Sequence, residues 1–413
     1  MTNVTTGEDR AAEIRNRLID ELIAAGHITS AAVEAAFRTV PRHLFAPEVS
    51  IEAAYARDIV VVKRNKRGVP ISTISAPEIH ALQLEQARIG PGMRVLEIGS
   101  GGYNAALIAE LVGPDGQVTT MDIDPEVVDR ARACLDAAGY SQVQVVLGDA
   151  EDGMAGNAPY DRIMVTAGAW DIPPSWTRQL AEGGRIVVPL RTKGLTRSLA
   201  LEREDDHLVS RSQEMCGFVK MQGAGAHDGH LLPLHGGKVS LGSDDGNLGD
   251  PRKLDGVLAT TPTAAWSGVT VRHNESFADL LLWMMTTLPG FCTLIVDAAD
   301  SDPGIAVEPG GRWFPFATVD GDSFAYLSAR PAGEAIAELG AHGFGPHAEQ
   351  AAKAVAEQIR AWDRDHRNGP GPTYTIWPID TPDDALPAGA VIDKRHTRVS
   401  ISWPPAARPN RHG

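Results

Sequence analysis

Between residues 94 and 190, short apolar runs alternate with amphipathic segments, and this alternation restricts the possible folds more than any other property of the chain. "RVLEIG", "GQVTTMDID", "VQVVLGDA", "YDRIMVTAG" and "GRIVVPL" read as strands. "YNAALIAELVG" and "PEVVDRARACLDAAG" read as helices, the second with Pro125 in its first turn. Strands joined by helices of about 10–15 residues predict an α/β class, doubly wound, Rossmann-like parallel sheet. Two helices precede it. "EDRAAEIRNRLIDELIAAG" places Ile14, Leu18, Leu22 and Ile23 on one face and stops at Gly26, and "TSAAVEAAFRTV" starts at Thr29 or Ser30 as cap.

At 413 residues the chain exceeds one usual core. The pattern changes beyond about residue 225, where turn-rich stretches surround "FADLLLWMMTTL", "GFCTLIVDA", "SFAYLSAR", "HAEQAAKAVAEQIRAWDRD", "YTIWPID" and "HTRVSISWP". The expected organisation is an N-terminal helical and substrate-side segment (1–80), a Rossmann-like core (81–225) and a C-terminal α+β domain (226–413). The last residues, "AARPNRHG", read as a loose tail.

A formal net charge of −15 argues against non-specific nucleic-acid or anionic-membrane binding. Cys134, Cys216 and Cys292 lie far apart with no CxxC pair, which indicates neither a disulfide framework nor a zinc ribbon. "MTNVTTGEDRAAEIR" lacks the apolar core of a signal peptide and no long apolar run occurs, so a cytoplasmic enzyme is expected.

In open α/β sheets, ligands sit beyond the carboxyl ends of the strands. "VLEIGSGGYNAA" puts Gly99, Gly101 and Gly102 there, where glycine permits unusual backbone angles and close ligand approach. Asp122 ends the second strand, 25 residues after Glu97, where a carboxylate accepts from ribose hydroxyls. Asp149 ends the third, in reach of an adenine amino group. The loop lacks G-x-G-x-x-G, with Ala105 at the fourth position after Gly101, so an adenosine ligand without pyrophosphate fits better. S-adenosylmethionine is the commonest such cofactor. Tyr103 and Asn104 read equally as cofactor packing or as a helix start. Ser75 precedes Pro77 and a helix, and by residue type alone it reads equally as a cap or as a functional hydroxyl.

The ordered set "VPRHLFAP" (40–47), "AAYARDIVVV" (53–62), "STISAPEIHA" (72–81), "VLEIGSG", "VVLGDA", "APYDRIMVTAGAWDIPPSW" and "LAEGGRIVVPL" resembles the protein-L-isoaspartate (D-aspartate) O-methyltransferases over residues 8 to 223. The resemblance implies a S-adenosylmethionine methyltransferase fold with Ser75 as active-site serine. It implies cofactor contacts from Thr73, Ile74, Ser75, His80, Glu97, Gly99, Ser100, Gly101, Asp122, Ile123, Asp149 and Ala150. Ala167 and Trp170 are expected against the acceptor, and no metal. The family loop is one residue longer than GSGGY, and its chains end near "CGFVKMQGAGAHDG", whereas about 190 residues remain here. Both departures resemble the C-terminally extended methyltransferases of FxLD-type lanthipeptide clusters. That implies esterification of an aspartate in a cyclised precursor peptide, followed by succinimide or isoaspartate formation. General isoaspartate repair is the alternative, and a peptide-binding chaperone with a vestigial cofactor fold the non-enzymatic one. The histidines His227, His230 and His235 match no standard metal spacing, and "VDGDSFAYL" (319–327) reads as a hairpin turn.

Overall fold

The computed structural model describes residues 7–234, 239–244, 248–296 and 316–405. His235 and the tail from 406 onward lie outside the described residues. The chain opens with helices α1 (Gly7–Ala24) and α2 (Ala31–Thr39). α1 buries Ala11, Leu18, Ile19 and Leu22; Ile14 is only half-buried and Ile23 is exposed, so the buried stripe is rotated from the expected one. Ser30 caps α2, its hydroxyl accepting from the Val33 amide at 3.3 Å. A short helix α3 (Ile51–Ala54) leads into an antiparallel hairpin of β1 (Val60–Arg64) and β2 (Pro70–Ile74), then α4 (Pro77–Ala87). The N-cap of α4 is Ala76, with no side-chain cap bond, so Ser75 does not cap this helix.

The alternating region follows as β3 (Arg94–Ile98), α5 (Tyr103–Val112), β4 (Gln117–Asp122), α6 (Pro125–Ala137), β5 (Gln144–Leu147), β6 (Tyr160–Val165), α7 (Pro174–Gln179) and β7 (Leu180–Thr192). The five strands are parallel in the order β5-β4-β3-β6-β7. This is the Rossmann-like parallel sheet that the alternation predicts. β8 (Leu195–Glu204) and β9 (His207–Met215) extend it antiparallel.

The period-two alternation of the central strands divides the core. Val95, Met164, Val187 and Ala200 face α1, α2, α4, α5 and α6, while Leu96, Ile163, Ile186, Val188, Leu199 and Leu201 face the other way. α7 spans only 6 residues, too short to cover that second face.

Cover comes from the C-terminal half. β10 (His230–Leu234), β11 (Val239–Ser243), β12 (Thr263–Arg272), β13 (Phe291–Val296), β14 (Phe316–Asp320), β15 (Ser323–Gly333) and β16 (Ile336–Phe344) form a seven-stranded antiparallel sheet. Between β12 and β13 lies α8 (Ala278–Thr287), and α9 (Ala348–Asp365) follows β16. α8 and α9 join the apolar faces of both sheets into one core through Leu280, Met284, Val355 and Ile359. Arg197, between Leu195 and Leu199 on β8, donates to the Ala278 carbonyl at 2.6 Å and so fixes which face α8 meets. Finally β17 (Thr373–Pro378), β18 (Ala390–Asp393) and β19 (Thr397–Ser402) return to the first sheet, β17 pairing with β9. The segment 226–413, expected as one α+β unit, is therefore shared between two sheets. Strand pairing at this sequence separation leaves no local trace. "VDGDSFAYL" forms the β14–β15 turn, with Gly321 at φ 63°.

Candidate active site

The carboxyl ends of β3, β4 and β6 meet at the point where strand order reverses, and a cleft of about 610 Å³ opens there. Its floor is the loop after β3. Gly99 has φ 97°, and a Cβ there would stand 2.6 Å from the Thr166 hydroxyl, so only glycine lets β3 and β6 approach this closely. That hydroxyl donates to the Gly99 carbonyl at 2.9 Å. Asp122 holds the loop from the other side. Its Oδ2 accepts from the Ser100 amide at 3.0 Å and its Oδ1 from the Asp124 amide at 2.9 Å. Asp124 in turn caps α6 and binds Lys63 of β1 at 2.7 Å, which fastens the hairpin to the sheet. Burial holds the Asp122 carboxyl above its ordinary range, with the Asp124 and Ser100 amides pulling the other way.

Thr73, Gly99, Ser100, Gly101, Asp122, Ile123, Ala150 and Ala167 line the cleft, brought from five separate stretches of chain. Ile74, Ser75, His80, Glu97, Asp149 and Trp170 do not line it. Ile74 turns into the core. Ser75 is half-buried at the foot of the hairpin, one residue beyond β2. Asp149 accepts backbone amides through both oxygens, from Glu151 at 2.9 Å and from Ala224 at 2.8 Å. A carboxylate at a strand end is as ready a partner for returning backbone as for an adenine.

Glu97 and His80 form a buried layer behind the loop. Glu97 accepts from Asn104 Nδ2 at 2.7 Å and from the Thr120 hydroxyl at 2.5 Å, with no exposed surface. Burial raises its carboxyl to about 7, although both bonds favour the charged form. His80 lies edge-on to Tyr103, centroids 5.3 Å apart, and burial, then Arg42, pushes it down to about 3. Tyr103 starts α5 and packs on Phe37, Phe45 and Arg42, so its role is the helix start. Of the two buried titrating groups, Glu97 binds a proton in the fold that the unfolded chain has lost, so it lowers stability as pH rises from 4.5 to about 7. His80 resists a proton that the unfolded chain takes up, so it raises stability as pH rises from about 3 to 6.5. Between pH 4.5 and 6.5 the two slopes oppose. Glu97→Gln is expected to remove one of them, leaving stability that climbs by on the order of 1.4 kcal/mol per pH unit. Urea midpoints across that range check this, and parallel profiles for the two proteins would show that Glu97 is not protonated in the fold.

The family model for protein-L-isoaspartate(D-aspartate) O-methyltransferase (PCMT) matches residues 13–225, from α1 to the segment that closes over the cleft. The chain belongs to this family. Among curated relatives, the protein-L-isoaspartate O-methyltransferase of Methanopyrus kandleri is 41% identical over 212 residues, 51% of this chain and 91% of that one. That of Hyperthermus butylicus is 38% identical over 229 residues, covering 53% and 92%. A solved protein-L-isoaspartate O-methyltransferase superposes at TM-score 0.49 and 21% identity, covering 87% of this chain and 96% of that one. A Plasmodium falciparum PCMT in complex with S-adenosyl-L-homocysteine superposes at TM-score 0.44 and 18% identity, covering 50% and 98%.

Two PCMT-region features were missed by residue-type reasoning. Arg42, within "VPRHLF", is fully buried and donates through Nε to the Ala54 carbonyl at 2.7 Å and through Nη2 to the Ser75 carbonyl at 2.9 Å. An arginine between proline and an apolar run signals nothing locally. The second is the outer wall, Val219 to Gln222, which runs beside Gly168 through backbone bonds of 2.8 and 3.1 Å. The C-terminal half reinforces that wall. In the turn between β18 and β19, His396 Nε2 meets Glu151 at 2.6 Å and Arg395 donates to the Ala224 carbonyl at 2.7 Å. Trp170, expected at the acceptor, stacks on His227 at 3.8 Å with Lys394 bound to its carbonyl, and so ties the two halves together. Among the described residues no group of three or more His, Cys, Asp or Glu is arranged to hold a metal, and no helix is long and apolar enough to cross a membrane.

Proposed function

We propose that this chain is a S-adenosylmethionine-dependent carboxyl O-methyltransferase acting on an aspartate-derived side chain of a polypeptide, in the cytoplasm. The observation that carries this is the cleft itself: Asp122 and the glycine loop on one side, the Ile71–Thr73 segment on the other, with Ser75 two residues beyond it. The residues present fit an adenosyl group. Among the described residues the Ser100 hydroxyl is buried with no hydrogen-bond partner, and Asp122, which accepts from the Ser100 and Asp124 amides, is a carboxylate that accommodates about four bonds in all. Gly101 offers backbone with no Cβ to obstruct approach.

S-adenosylmethionine, when bound, supplies an activated methyl group together with its own leaving group. The chain's residues then have three tasks. Asp122 accepts from the ribose hydroxyls. The Ser75 hydroxyl orients the acceptor carboxylate. The Val219–Gln222 wall excludes water. No general base is required, because a peptide carboxylate with a pKa near 4 is already ionised at neutral pH. Positioning of this kind contributes roughly 7–11 kcal/mol to catalysis.

For the acceptor, the reading that the extended chain supports is an aspartate in a ribosomally made, lanthipeptide-like precursor. Attack of the next backbone nitrogen on the methyl ester expels methanol and closes a succinimide, which persists or opens to isoaspartate. The shortened GSGGY loop and the long segment after 225 favour this. General isoaspartate repair is the second reading, favoured by the 41% identity to a relative named protein-L-isoaspartate O-methyltransferase. Mass spectrometry after incubation with cofactor and either a short isoaspartyl peptide or a cyclised precursor separates them. A repair enzyme is indifferent to the rings and methylates the isoaspartyl peptide, leaving the precursor's aspartate unmodified. Methyl gain on neither ends the whole reading. Ser75→Ala is expected to lower kcat/KM by roughly 10- to 100-fold with an unchanged melting curve; full activity would remove Ser75 from its role.

A further inference from the structure

The β1–β2 hairpin is basic in a chain that is acidic as a whole. Residues 60–74, "VVVKRNKRGVPISTI", hold four cations and no acid, in a chain with 53 acids and 38 Lys plus Arg. Lys63 is used internally, bound to Asp124 and Glu126 of α6 at 2.7 and 2.9 Å. Arg64 donates to the Gly68 carbonyl across the turn, which orders the tip. Asn65 fixes the same turn by accepting from the Arg67 and Val69 amides. Among the described residues, the side chains of Arg64, Lys66 and Arg67 face no carboxylate within ion-pair distance, and all three are exposed. Val69, beside them, is 53% exposed, and Ile59, at the other end of the hairpin, 47%.

A fold has no need to order an unneutralised basic turn on an anionic body. The hairpin also runs straight into the cleft: Ile71, Ser72 and Thr73 line it. We infer that the Arg64–Lys66–Arg67 tip is a docking site for an acidic stretch of the acceptor polypeptide. This rests on the carboxyl methyltransferase reading. The chain as a whole, at net −15, disfavours such a stretch, so the tip both attracts it and fixes its direction. Six positions separate Arg67 from Thr73, a reach of at most about 20 Å. The acidic stretch therefore lies about six residues from the modified side chain when the peptide runs extended along β2.

The test uses the full chain and fluorescein-labelled peptides with one isoaspartate and a block of four Glu, four Gln or four Lys placed six residues away. Fluorescence anisotropy is expected to show the Glu peptide binding best, with affinity falling as salt is raised. Lys66→Glu combined with Arg67→Glu is expected to weaken the Glu peptide roughly tenfold and leave the Gln peptide unchanged. Lys66→Gln with Arg67→Gln should fall between. Equal affinity of the three peptides, an unaffected double variant, or tighter binding of a labelled single-stranded DNA of similar length would overturn the inference. Methyl transfer to the Gln peptide is read separately. Its absence strikes the isoaspartate-repair reading, while anisotropy alone decides the docking site.

Discussion

Ending the chain after residue 226 is expected to give an aggregated fragment and not a separable methyltransferase. The cut removes β17, which pairs with β9, together with α8 and α9. Leu195, Leu199 and Leu201 on β8, each under 5% exposed, share the face where Arg197 meets α8, and they would pass into water. At about 1.5–3 kcal/mol for each such side chain, the loss reaches roughly 5–9 kcal/mol, within the range of a whole domain's stability. The freed edge of β9 would add a template for association. Size-exclusion chromatography and thermal melting of residues 1–226 check this; a monomer with one cooperative transition would show that the C-terminal half is only an attachment. The alignment with the Methanopyrus kandleri relative covers 51% of this chain, and the family model ends at residue 225. Loss of methylation in such a fragment therefore reports folding as well as any recognition by the C-terminal half.

Arg42→Met is expected to cost about 2–4 kcal/mol of stability and to reduce kcat/KM by more than roughly tenfold. The guanidinium is out of water and is held by carbonyls, those of Ala54 and Ser75, with the Tyr103 ring 5.0 Å away. Burial lowers its pKa from the ordinary value. Removing it strands two buried acceptors and releases the Ser75 backbone from the turn at Arg42–Phe45. Arg42→Lys keeps the charge but cannot reach both carbonyls in the same fork geometry, so it should recover stability better than turnover. Urea unfolding and steady-state kinetics on both variants distinguish the two contributions. Equal losses of stability and turnover in Met and Lys variants would make Arg42 a core residue with no part in positioning Ser75.

Glu97 and Asp122 show how far residue type carries a site assignment. Both are acids at the ends of adjacent strands, and both were expected at the cofactor. Asp122 lines the cleft; Glu97 is sealed beneath the loop by Asn104 and Thr120. One residue of strand length decides between the two fates, because the loop turns immediately after Ile98. Trp170 gives the same lesson for the acceptor side. Its position after β6 was legible, but its ring is taken by His227 from a segment that lies far along the chain.

The amino-acid sequence by itself determined the parallel sheet, the glycine turn, the adenosyl-type spacing of its acids and the membership in the PCMT family. Those follow from local periodicity and from short ordered motifs, in which neighbours along the chain are also neighbours in space. Only the tertiary structure decided that the C-terminal half completes the first sheet and braces the cleft wall, that Arg42 holds Ser75, and that Glu97 and His80 are buried. Each of these depends on contacts between residues tens to hundreds of positions apart, where burial and hydrogen bonding are set by what packs opposite and not by what stands next in the chain.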